Sequence, residues 1–185
     1  MAPDAPALRL FAAVLPDDAA RAALVRLQGE LRQALGAAPL RWADPEALHL
    51  TLRFFGAVPE DRVREVEAML APAAAAAKST RCELQRIEYW PPRVPRVVAA
   101  AFSCPAALAA LATGLEARAR ALGFAPERRR FRPHVTLARG SGRIIGRAPV
   151  RLPALALDAD NLALVSSLTL PEGARYRTLR RWPLG

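Results

Sequence analysis

The chain contains two histidines, and both stand in one four-residue frame: His49-Leu50-Thr51-Leu52 and His134-Val135-Thr136-Leu137. In an extended strand, residues i and i+2 project from the same side. Each frame therefore sets an imidazole beside a hydroxyl on a rigid element. An imidazole gives or takes a proton near neutral pH, and a hydroxyl can donate to an anionic oxygen. Two such pairs facing each other would make an acid–base site suited to phosphate chemistry.

The frame ends a longer repeat. Residues 8–15 (LRLFAAVL) predict a strand, which Pro16 ends; Asp17 or Asp18 can cap the helix that follows. Leu24, Leu27, Leu31 and Leu35 recur at helical spacing, so residues 17–35 predict an amphipathic helix ended by Gly36. A connector holding Trp42 and Pro45 leads to the first histidine strand, 49–55, closed by Gly56. The second copy runs in the same order. Residues 96–103 (RVVAAAFS) predict a strand, Pro105 follows, Leu108, Leu111, Leu115 and Leu122 give the helical stripe, and Gly123 stops it. The Pro-to-Gly intervals are 20 and 18 residues, and the Gly-to-His intervals 13 and 11. Order and spacing thus mark a duplication of one unit, about residues 8–56 and 96–139.

Between the copies, Pro59 opens a second helix with Asp61 in its first turn, striped by Val63, Val66 and Leu70 and continued by the alanine run 73–77. Residues 81–90 predict a strand, and the loop with Pro91, Pro92 and Pro95 is the best candidate lobe boundary. Strands are expected at 152–158, 161–169 and 174–182. The fold class is α+β and bilobal: two pseudo-two-fold related lobes in a single domain, 1–185. Each lobe is an antiparallel sheet with its helix on the outer face, and the two histidine strands line the groove between them.

Composition narrows the setting. Hydrophobic residues make up 52% of the chain, which excludes a disordered segment. No apolar run approaches the roughly 20 residues of a membrane-spanning helix. The apolar start lacks a preceding basic segment and is followed by Asp17-Asp18, a poor secretory signal. Cys82 and Cys104 read as reduced, buried thiols. A cytoplasmic protein without membrane association is expected, and a monomer, since the duplication supplies both halves of a site. The net charge of +10 favours a polyanionic partner, RNA or nucleotide. Only one of the 27 basic residues is a lysine, Lys78, so compositional bias toward arginine accounts for part of that charge.

Displacement at phosphorus runs in line, with a base on the entering side and an acid on the leaving side. Two histidines related by a two-fold axis supply both. Threonine hydroxyls, backbone N–H groups and arginines could hold the non-bridging oxygens. Two histidines without a nearby carboxylate fall short of the three ligands usual in catalytic zinc sites. No HExxH, CxxC or G-x-x-x-x-G-K-[ST] sequence occurs, so the sequence gives no basis for metal, cofactor or ATP use.

The chain resembles the two-histidine (2H) phosphoesterases, and within them the RNA 2',3'-cyclic phosphodiesterases, also called 2'-5' RNA ligases. The matching stretches are LRLFAAVLP, W-x6-HLTLRFFG from Trp42, RRFRPHVTLAR from Arg129, and the ending VSSLTLPEGARYRTLRRWPL. Together they cover nearly the whole chain. Phe55 departs from the pattern, where relatives often carry Leu. The resemblance implies hydrolysis of RNA 2',3'-cyclic phosphate ends to 2'-phosphates without metal. It implies His49 as proton donor to the leaving 3'-oxygen and His134 as proton acceptor from water, with Thr51 and Thr136 beside them. Run in reverse, the reaction would join a 5'-hydroxyl to the cyclic phosphate by a 2'-5' link.

Secondary candidates are substrate-binding. Arg128, Arg130 and Arg132 alternate toward the His134 side if their segment is extended, and Arg130 also matches the family's arginine four residues before the second histidine. Arg53 shares the parity of His49 and Thr51. Phe131 could stack a terminal base. Trp42, Tyr89, Trp90, Tyr176 and Trp182 read as packing residues. Two other functions fit the same residues: a non-catalytic RNA-end binder, or the same chemistry on 2',5'-oligoadenylate, ADP-ribose cyclic phosphate or a tRNA-splicing intermediate.

Overall fold

The computed structural model describes residues 7–140, 150–170 and 173–185. Its elements are β1 (Ala7–Val14), α1 (Asp18–Leu35), β2 (Leu40–Trp42), β3 (Leu50–Pro59), α2 (Val63–Ala76), β4 (Thr80–Trp90), β5 (Val97–Phe102), α3 (Ala106–Ala121), β6 (His134–Gly140), β7 (Ala156–Ala159), β8 (Asn161–Leu170) and β9 (Gly173–Pro183). Short 3-10 turns occupy 45–47 and 60–62. Among the described residues no helix is long and apolar enough to cross a membrane.

All strands join one antiparallel sheet in the order β7-β4-β5-β6-β3-β1-β8-β9, with β2 also pairing β6. β1 and β3 of the first unit pair with each other, as do β5 and β6 of the second. The two histidine strands, β3 and β6, pair at the centre through one register pair, Leu50 with Val135, and β2 extends the first unit's pairing along β6.

The helices form where the apolar stripes and caps require. Asp17 caps α1 by accepting from the Ala20 backbone N–H at 2.7 Å, and Gly36 ends it in a positive-φ conformation, φ 55°. Leu24, Leu27 and Leu31 of α1 and Leu108, Leu111 and Leu115 of α3 are buried in one core cluster. Each helix crosses to the other copy's central strand. Gln28 of α1 donates to the Leu137 carbonyl of β6 at 2.9 Å, and Glu116 of α3 meets Arg53 of β3. Helices and core share one face of the sheet: Leu10, Ala12, Val14, Leu50, Val98, Ala100 and Val135 point into the cluster. The other face carries a smaller cluster, Phe11, Ala13, Ala163 and Val165, and the first and third residues of each histidine frame, His49 and Thr51 and His134 and Thr136.

Several boundaries differ from the sequence expectation. β3 runs through Gly56 to Pro59, because Gly56 adopts φ 77° beside a register shift that leaves Phe55 unpaired. Pro59 therefore ends a strand, and α2 starts at Val63. The proline loop 91–96 is a β4–β5 hairpin connection inside one half of the sheet and marks no lobe boundary. The strand expected at 152–158 shrinks to Ala156–Ala159, and β2 inside the first connector was not foreseen. Cys82 is buried, with burial pushing its thiol up to about 11, whereas Cys104 is exposed. Pro171 and Glu172, expected to separate the last two strands, lie outside the described residues.

Candidate active site

The site sits where the two copies touch. Leu50 and Val135 pair, and both point into the core. Carrying the antiparallel register one step each way sets His49 across from Thr136 and Thr51 across from His134. All four lie on the face opposite the helices and are partly exposed. Neighbouring strands keep the same parity: Ala13 pairs with Thr51, Ala99 with Thr136 and Ala101 with His134.

Each frame orients its own ring. His49 Nδ1 donates to the Ala47 carbonyl at 2.7 Å, and His134 Nδ1 donates to the Arg132 carbonyl at 2.7 Å. A carbonyl only accepts, so Nδ1 carries the hydrogen and the neutral ring leaves Nε2 as its free nitrogen. An aromatic edge braces each imidazole. Tyr176 meets His49 at 5.0 Å between centroids and 76°, and Trp90 meets His134 at 4.7 Å and 83°. Phe11 lies against His49 at 4.6 Å.

The frames also share a bulge. Ala13 pairs with Thr51 but Ala12 pairs with Arg53, so Leu52 is the extra residue. Ala99 pairs with Thr136 but Val98 pairs with Ala138, so Leu137 is the extra residue. A bulge turns two consecutive side chains toward one face, and here Leu52 with Arg53, and Leu137 with Ala138, all enter the helix-covered side. This corrects the parity assigned to Arg53. Its side chain is 6% exposed and its Nε lies 2.6 Å from Glu116 Oε2, on the face away from the histidines. It also donates to the Phe54 and Ala125 carbonyls. Arg53 is thus not a substrate contact but a fastener between β3 and α3.

The bulges bring two unforeseen residues onto the site face, Phe54 and Arg139. They occupy the same position in the two frames, five residues after each histidine. Phe54 packs on Phe11 at 5.6 Å and is half exposed. Arg139 is exposed, stands across from Arg41 of β2, and its charge acts on both histidines. Aligning the two copies of the repeat past the four-letter motif would have paired Phe54 with Arg139 from sequence.

Both imidazoles are held below the ordinary histidine range. Burial is the main cause for His49, which falls to about 4; the bond to Ala47 opposes this, and His134 and Arg139 add to it. Burial also lowers His134 first, with the Arg132 carbonyl and Glu88 opposing and Arg139 and Arg132 contributing. Burial thus favours the neutral form of both rings, and the positive charge of Arg139 adds to it.

The remaining candidates lie around a pocket of about 270 Å³ beside His134, lined by Arg86, Glu88, Trp90, Arg130, Phe131 and Arg132, among others. Arg130 is exposed there, and Phe131 is half-buried against the core. Arg132 is engaged by a carboxylate and an aromatic face. It binds Glu88 at 2.7 Å and lies 5.1 Å over Trp90. A smaller pocket of about 90 Å³, lined in part by Arg21, Glu46, Tyr176 and Thr178, flanks His49. Among the described residues, no three metal-ligating side chains converge.

Comparison with known proteins gives a consistent match. A family model for LigT-like phosphoesterases matches residues 14–99 and 102–176. An RNA 2',3'-cyclic phosphodiesterase of Thermus thermophilus is 34% identical over 184 residues, spanning 96% of this chain and 90% of the relative. Another, from Methanothermobacter thermautotrophicus, is 32% identical over 136 residues, 73% of this chain and 72% of the relative. A crystal structure of a Thermus thermophilus protein superimposes with a TM-score of 0.84 at 32% identity, covering 95% of this chain and 97% of that one. E. coli LigT in apo form shares the fold, with a TM-score of 0.75 at 24% identity over 96% of this chain and 98% of that one.

Proposed function

Because the chain belongs to the LigT-like phosphoesterases and is an enzyme of the phosphodiesterase class, we propose that it opens RNA 2',3'-cyclic phosphate ends to 2'-phosphates by metal-independent acid–base catalysis. His134 takes the proton of the attacking water, and His49 protonates the departing 3'-oxygen. The single observation that carries this reading is the pair of imidazoles flanking Leu50–Val135 on one face, each tied through Nδ1 to a carbonyl two residues earlier. That tie leaves Nε2 of each ring as the nitrogen able to move a proton, and in-line displacement needs one such group on each side of phosphorus. Thr51 and Thr136 stand beside the opposite histidine and can donate to the non-bridging oxygens. Arg139 adds the fixed positive charge that a phosphate needs as the transition state gathers charge, and Arg130 stands at the edge for the incoming strand.

A bound phosphate anion raises both rings, so the assignment of His49 as acid and His134 as base follows the family resemblance and not the lowered pKa of His49. We read the chain as one domain of two interleaved halves, acting as a monomer in the cytoplasm, with no cofactor.

The test is product analysis on a nucleoside 2',3'-cyclic phosphate. A 2'-phosphate should form at the same rate with and without chelator, and His49→Gln and His134→Gln should each lose roughly 10²–10⁴ in rate while keeping the wild-type melting temperature. A 3'-phosphate product, or chelator sensitivity, would refute the reading. Salt-sensitive RNA binding without turnover would make the groove a grip instead of a catalyst.

A further inference from the structure

Among the described residues only three polar or charged side chains are buried: Gln28, Arg53 and Asn161. Burying such a group costs free energy unless its hydrogen bonds are met. Two of the three stand at the bulges behind the histidine frames. Gln28 lies on the buried stripe of α1 between Leu27 and Leu31 and is 5% exposed. Its amide nitrogen donates to two backbone carbonyls, each at 2.9 Å. One belongs to Leu137, the extra residue of the β6 bulge; the other belongs to Ala43, in the connector that leads to His49. The Ala43 N–H donates to the same Leu137 carbonyl.

The other unit holds a counterpart. Glu116 stands ten residues past the start of α3, as Gln28 stands ten past the start of α1. Glu116 reaches the bulge of β3 through Arg53. Its second oxygen accepts from the Glu127 N–H at 3.1 Å, in the connector that leads to His134. Where β3 has Arg53, β6 has Ala138, too short to meet a helix, so the amide of Gln28 goes to the backbone itself. Each helix thus grips the bulge of one frame and the connector before the other. Packing alone would be served by leucine at either position.

The bulge decides where Arg139 points. Thr136 faces the site, so strict alternation would put Ala138 beside it and turn Arg139 toward the helices. The extra residue, Leu137, reverses that order. We propose that Gln28 is a positioning residue, which holds the Leu137 bulge from the helix side and so keeps the Arg139 guanidinium on the face of the two imidazoles. The use of that charge in turnover rests on the reading above; its placement does not.

The experiment compares the wild type with Gln28→Met, Arg139→Ala and the double variant. Methionine resembles glutamine in length and has no hydrogen to donate. The chain has two histidines, so each imidazole can be followed by NMR through a pH titration. Arg139 lowers both rings, so Arg139→Ala should raise both midpoints. Gln28→Met should raise them by most of the same amount, and the double variant no further than Arg139→Ala alone. The other charged or titratable neighbours, Glu88 and Arg132 at His134 and Arg21, Glu46 and Tyr176 at His49, are the same in every variant. On a nucleoside 2',3'-cyclic phosphate, kcat/KM should fall about tenfold in Gln28→Met, the scale of a lost charge-assisted hydrogen bond, and the double variant should match Arg139→Ala. Gln28→Asn, one methylene too short to span both carbonyls, is measured in its place if Gln28→Met does not fold, with the same expected shift. Midpoints equal to the wild type, or losses that multiply in the double variant, would overturn the proposal and leave Gln28 a core contact without hold on the site. If no cyclic phosphate is turned over by the wild type, the catalytic reading fails on its own, and the two titrations still decide what Gln28 does.

Discussion

The two histidine frames are copies in backbone and unlike in surroundings. Both set His and Thr on one face, tie Nδ1 to a carbonyl two residues back, brace the ring with an aromatic edge and bulge at the following leucine. Beyond that they part. The fifth residue after the histidine is Phe54 in one frame and Arg139 in the other. The pocket beside His49 is about 90 Å³, and the one beside His134 about 270 Å³. His49 is pushed down to about 4, while Glu88 partly holds up His134. On the function proposed above, the shared features build two proton handlers, and the differences distinguish the one assigned to give from the one assigned to take.

The strongest way to break this division of labour is to remove the need for a proton donor. A cyclic substrate with sulfur in place of the 3'-oxygen has a leaving group that departs unprotonated. It should restore His49→Ala to near wild-type turnover and leave His134→Ala down by roughly 10²–10⁴. Rescue of His134→Ala instead would exchange the two roles.

A smaller effect separates the fifth positions. Arg139→Ala should cost about 10- to 100-fold in kcat/KM, the range of a lost charge-assisted hydrogen bond. Phe54→Ala should cost less than tenfold and act mainly on KM. Equal losses would mean that the charge of Arg139 does not single out its side of the groove.

The gentlest probe is pH. Both pKa values are lowered, so the state with one proton on the pair lies below 6.5. As pH rises through that range the pair empties and kcat/KM falls; as pH drops past about 4 both rings charge and it falls again. The optimum of kcat/KM should therefore lie between these limits. Arg139→Ala removes a positive charge that lowers both rings, so its optimum should move up. In kcat the bound phosphate raises both histidines, and the alkaline limb should stand higher than in kcat/KM.

Much of this was readable in the letters. Spacing alone located two strand–helix–strand units whose strands pair within each unit, and leucine stripes with Asp17, Gly36 and Gly123 bounded their helices. What stayed hidden depends on partners. A bulge is a property of two strands together, so nothing in HLTLRF announces that Leu52 will slip and carry Arg53 to the core. Strict alternation sent Arg53 to the wrong face and missed Phe54. Trp90 and Tyr176 reach the histidines from strands far away in the chain, and their neighbours follow from sheet order, which local pattern does not encode. The same holds for α1 and α3 crossing to opposite copies.

The carbonyl two residues before each histidine makes each frame self-sufficient in setting its ring. Many catalytic imidazoles are steered by a carboxylate from elsewhere in the chain; these carry their steering group within the same short stretch of backbone. A frame that holds its own imidazole in one tautomer keeps that setting wherever its strand is placed, so two such frames laid side by side across Leu50 and Val135 present matched rings with no carboxylate brought in to fix either one.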